Sequence, residues 1–119
     1  MTKSRWKNKI KKMMNETGTY KPAFDSVIVM LSEILEQRDK TYEEFQENGG
    51  ESCIEHISDR GSVSLVKNPY LVQWCELNRD ALAYWRDLGL TPSGLKKINE
   101  DVMKKPKASP LAEALRAIG

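Results

Sequence analysis

The sequence predicts a mainly α-helical domain built from a long helix, a small β-hairpin, a second long helix and short C-terminal helices. Three observations predict it. Apolar residues keep helical spacing from Phe24 to Phe45, an alternating stretch follows Gly49 and Gly50, and Asn68-Pro69 with Leu88-Gly89 bracket another helical run. At 119 residues the chain can bury one modest core and is too short for two.

Residues 1–19 hold Lys3, Arg5, Lys7, Lys9, Lys11 and Lys12 ahead of the first acid, Glu16. They lack an apolar set large enough for an independent domain, so a basic flexible arm is expected there. Trp6, Ile10, Met13 and Met14 nevertheless line one face wherever the arm becomes helical. From Pro22, the series Phe24, Val27, Ile28, Leu31, Ile34, Leu35, Arg38, Tyr42 and Phe45 predicts a helix ending near Asn48. Such a helix of about 27 residues spans roughly 40 Å, more than the core of so small a monomer requires. Val29 and Met30 lie off its main stripe and offer a further apolar strip to another chain.

Cys53 to Ser58 and Ser62 to Lys67 alternate as strands do, and Asp59, Arg60 and Gly61 between them suit a three-residue hairpin turn. An isolated hairpin is marginal in water, so this one must lie on the helices or join the hairpins of neighbours. Asn68 is an N-cap and Pro69 fits the first helical turn. Two apolar stripes follow: Leu71, Trp74, Cys75, Leu82 and Trp85, then Tyr70, Leu77, Ala81, Tyr84 and Leu88. They predict burial on two sides. Gly89 caps the helix in the left-handed conformation, and Thr91-Pro92 open a short helix through Leu95 and Ile98. Beyond it, residues 101–119 are read as a basic linker and a short docking helix that carries Leu111, Leu115 and Ile118 on one face. Residues 20–100 form the oligomerisation core in this scheme.

The net charge of +2 conceals segregation: a basic start, an acidic middle from Glu33 to Glu55, and a basic end with Lys96, Lys97, Lys104, Lys105 and Lys107. Lys3, Arg5, Lys7, Lys9, Lys11, Lys12, Lys104, Lys105 and Lys107 are the candidate DNA-binding residues, able to neutralise phosphates. The same basic amphipathic pattern also suits an anionic membrane surface, an acidic partner or a solvated tail. No apolar run approaches the ~20 residues that cross a bilayer, and a soluble intracellular protein is expected.

Catalysis has little to work with, and no catalytic, metal or cofactor site is expected. His56 is the only histidine, and no Cys, His or acidic set has metal-ligand spacing. Gly49 and Gly50 lack the Lys and Ser/Thr of a phosphate-cradling loop, and adjacent Glu43 and Glu44 point in different directions on a helix. Cys53 and Cys75 fit apolar patterns as free buried thiols of a reducing compartment.

The order of long helix, hairpin, Asn-Pro-initiated aromatic helix and the run LGLTPSGLKKI resembles the phage terminase small subunits over about Lys21 to Glu100. Asn68, Pro69, Leu82, Trp85, Leu88, Gly89, Leu90, Thr91, Pro92 and Ser93 fall on that pattern. The resemblance implies a ring homo-oligomer, non-enzymatic and working in the host cell cytoplasm. It would bind double-stranded viral DNA and partner the large terminase subunit, which carries the ATPase and nuclease activities. Many small terminases begin with a helix-turn-helix, which residues 1–19 are too short to hold. On this reading the Leu111, Leu115 and Ile118 face docks on the large subunit or on a neighbouring protomer. A non-catalytic helical adaptor without specific DNA binding is the alternative.

Overall fold

The computed structural model describes residues 1–104, and each of its elements starts and stops where the local sequence dictates. Helix α1 spans Lys3–Thr17. Its N-cap is Thr2, whose hydroxyl accepts from the Arg5 N–H at 3.3 Å. Gly18 ends it at φ 73°, a left-handed conformation that glycine adopts without strain. The N–H groups of Gly18 and Thr19 then donate to the carbonyls of Asn15 and Met14 at 3.2 and 2.9 Å. A 3₁₀ turn at Pro22–Phe24 leads into α2, Asp25–Glu47.

Strands β1, Cys53–Ile57, and β2, Val63–Lys67, pair antiparallel with Ile54 opposite Val66 and Ile57 opposite Val63. Helix α3 covers Pro69–Asp87, with the Asn68 side chain accepting from the Tyr70 N–H at 3.0 Å. Asn68 also ties the hairpin base together, its backbone N–H donating to Ser52 and its side-chain amide to Glu51, both at 2.9 Å. Helix α4, Pro92–Lys104, starts at Thr91, whose hydroxyl accepts from the Gly94 N–H at 3.0 Å.

Tyr42 stacks on Trp74 and Arg38 donates to Asn78, so α2 and α3 run antiparallel. Lys3 meets Glu33 while Lys11 meets Asp25, which sets α1 antiparallel to the first half of α2. The core lies where these three helices meet: Ile10, Met14, Ile28, Leu31, Leu35, Ala81 and Leu88 are buried there. Trp6, Met13, Phe24, Ile34, Tyr84 and Trp85 pack around it. The outer parts of α2 and α3 continue past this core and carry the hairpin. The molecule measures 84 × 27 × 21 Å with a radius of gyration of 22.2 Å, against about 13 Å for a compact chain of this length.

Four expectations are corrected. Residues 1–19 are not a flexible arm, because the Trp6, Ile10, Met13 and Met14 face docks on the apolar stripe of α2; the set is too small to fold alone and large enough to complete a shared core. Cys53 and Cys75 are free but exposed, since among the described residues no helix packs over the hairpin and nothing covers that side of α3. The stripe of Cys75 and Leu82 is open for the same reason, with Leu82 46% exposed. Helix α4 runs to Lys104 rather than stopping at Ile98, since Pro106 is the first residue that forbids its continuation.

Candidate nucleic-acid interface

A helix with 100° between residues must divide the six N-terminal cations among its faces, and the core contacts decide how. Ile10 and Met14 point into the core, so Ser4, Arg5, Asn8, Lys12, Asn15 and Glu16 point away from it, and all are exposed. Lys9 sits beside this face, also exposed, with its ammonium 5.2 Å from the Trp6 ring centre. The other three cations lie on the flanks. Lys3 pairs with Glu33 at 2.8 Å, Lys11 with Asp25 at 3.7 Å, and Lys7 is half-buried. The structure therefore brings Arg5, Lys9 and Lys12 together on one outward surface. Asn8 borders it one turn from both Arg5 and Lys12, an amide with two donors and an acceptor. The sequence pattern of alternating cations drew attention away from it; helical spacing from Arg5 and Lys12 was the signal that could have found it.

What holds α1 at this angle is a carboxylate cluster on α2. Asp39 accepts from the Trp6 indole N–H at 2.8 Å, from the N-terminal ammonium at 3.1 Å and from Arg38 at 3.1 Å. Burial would raise its pKa, but together these donors outweigh burial and hold it below the ordinary carboxylate value. Glu36 is lowered too, chiefly because the Lys3 backbone N–H donates to it. Trp6 lies under the Arg38 guanidinium at 5.3 Å and meets Trp85 edge-on at 6.4 Å between centroids. One indole thus links α1, α2 and α3.

The other expected site residues are placed elsewhere. Lys104 ends α4, and Lys105, Lys107, Leu111, Leu115 and Ile118 lie outside the described residues. His56 is exposed on β1, and among the described residues no three His, Cys, Asp or Glu side chains are grouped to hold a metal ion. An open groove of about 720 Å³ separates the end of α1 from the α3–α4 corner, lined by Met13, Trp85, Leu90, Pro92 and Leu95 with Glu16 at its edge. No described helix is long and apolar enough to cross a membrane.

The family model described as "Phage terminase, small subunit" matches residues 2–105. The chain belongs to the phage terminase small-subunit family. No curated protein and no solved structure matches it. Membership gives the chain a small-terminase role in phage DNA packaging, and it is the non-catalytic subunit of that machinery.

Asn68 and the run LGLTPSGLKKI build the scaffold of this small terminase subunit, within a family match that also takes in α1 and its charged face. Asn68 caps α3, Leu88 is buried, and Gly89 at φ 72° turns the chain toward α4. Gly94, buried in the first turn of α4, has a stricter duty. A Cβ there would overlap the Arg86 carbonyl oxygen, so only glycine lets α4 seat on the end of α3.

Proposed function

We propose that this small terminase subunit assembles as a ring homo-oligomer, binds double-stranded viral DNA through the outer face of α1, and presents it to the large terminase subunit. The observation that carries the DNA reading is the outward clustering of Arg5, Lys9 and Lys12 on a helix whose other face is fixed in the core. A fixed helix loses little conformational entropy on binding, unlike a disordered arm, and a ring repeats its charges at high effective concentration. Arg5 is free to reach base edges, whereas half-buried Lys7 is poorly placed to do so. Lys104, Lys105 and Lys107 extend the basic surface in this reading. Leu111, Leu115 and Ile118 dock on the large subunit, in the host cytoplasm.

Ring assembly is supported by apolar surface left exposed among the described residues, including Met30 at 47% and Leu82 at 46% exposure. Titrating affinity for double-stranded DNA against salt tests the central reading. A packaging recogniser shows a log-linear salt dependence and prefers its own genome's site; a helical adaptor shows neither. Deleting residues 109–119 should abolish association with the large subunit and leave DNA affinity intact. Unchanged association would transfer that segment to a neighbouring protomer.

A further inference from the structure

The hairpin is exposed on almost every residue, and its strands are two short edges with no third strand between or beside them among the described residues. Ser58 N–H donates to Ser62 and Asn68 N–H to Ser52, both at 2.9 Å. Hydrogen-bonded pairs in an antiparallel ladder occur at every second position. With the register fixed, Ile54–Val66 and His56–Ser64 exchange bonds inside the hairpin. The backbone N–H and C=O groups of Cys53, Glu55 and Ile57 therefore point out from one edge, and those of Val63, Leu65 and Lys67 from the other. The same residues share one face, where Ile57, Val63 and Leu65 are 68%, 61% and 74% exposed.

We infer that this hairpin is a subunit-joining device: the β1 edge of each copy pairs antiparallel with the β2 edge of the next, giving a continuous intersubunit sheet. The inference rests on the ring reading and names the surface that closes it. Charge selects the occupant. The β1 edge carries Glu55 and the β2 edge Lys67, so joining two β1 edges about a two-fold axis centred on Glu55 sets like charges opposite each other. Joining two β2 edges leaves every β1 edge open. Pairing β1 to β2 satisfies both edges of every copy and places Lys67 of one copy diagonal to Glu55 of the next. Such a contact is head-to-tail, and a head-to-tail contact that closes makes a ring. In the hairpin's own register, each Ile57 is flanked by its own Val63 and by that of the adjoining copy, so these side chains bury their flanks against one another as a lone hairpin cannot.

Residue-resolved amide hydrogen exchange on the assembled full-length chain tests this. The outward amides of Glu55, Ile57, Val63 and Leu65 should be protected as strongly as the inward amides of His56 and Ser64. Free exchange of the outward set in a chain that is oligomeric overturns the inference and leaves the ring reading standing. A monomeric chain overturns both. Leu65→Pro removes one outward N–H without touching a bond inside the hairpin or any residue of the helical core. It should lower the mass in solution with unchanged helical circular dichroism; an unchanged mass counts against the intersubunit sheet.

Discussion

Asp39 ties α1 to α2 by polar contacts, because the Trp6 indole and the terminal ammonium both donate to it while Arg38 of its own helix does so from beside it. Replacing it with alanine leaves the Trp6 N–H without its acceptor and should cost about 1–3 kcal/mol in denaturant unfolding followed by tryptophan fluorescence. The same cluster sets a pH dependence. The pKa values of Asp39 and Glu36 are depressed, so their contribution is complete above the unfolded carboxylate value of about 4 and is lost as pH falls through the lower folded values. Trp6 emission should therefore report loosening of α1 as the solution is acidified below about pH 4, and constancy from there to neutrality. At the α3–α4 corner, Gly94→Ala should destabilise by about 1–3 kcal/mol, since backbone rather than a flexible side chain opposes the added methyl.

Among the elements, α1 separates what was legible from what was not. Its apolar face, Trp6, Ile10, Met13 and Met14, was readable from spacing alone, yet nothing local announced that α2 would receive it. Tertiary burial decided the matter. Ile10→Ala should consequently cost about 2–5 kcal/mol, a core value that no flexible arm could show. Deleting α1 is a poor probe of DNA binding for the same reason, because it would uncover Ile28, Leu31 and Leu35 along with removing the cations. By contrast, α2, the hairpin and α3 were legible almost to the residue, since Gly49-Gly50, Asp59-Arg60-Gly61, Asn68-Pro69 and Gly89 are punctuation whose chemistry is local. Cys53 and Cys75 were misread because an apolar pattern fixes which residues share a face, not whether a single chain covers that face. For the candidate DNA site, the sequence shows that the cations are there, and their division into Arg5, Lys9 and Lys12 outside against Lys3, Lys7 and Lys11 on the flanks needed the docked helix.

For the whole molecule, the elongated form and the uncovered apolar surface belong together. With 84 Å of length and the core at the α1 end, the described residues leave the outer parts of α2 and α3, and the hairpin they carry, exposed, and the proposed ring gives them other copies to pack on. The basic face of α1 is anchored at the core, so on the proposed reading assembly and DNA contact use different surfaces, and a change on one need not disturb the other. The salt dependence of DNA affinity, compared between the native chain and an Arg5→Ala/Lys9→Ala/Lys12→Ala variant of equal solution mass, tests this account most directly. Each phosphate contact contributes about 0.9 to the slope of log affinity against log salt, so the variant should bind more weakly with a slope shallower by up to about 3 for each engaged subunit. An unchanged slope and affinity would contradict the account, because the outer face of α1 would then not be where DNA is held.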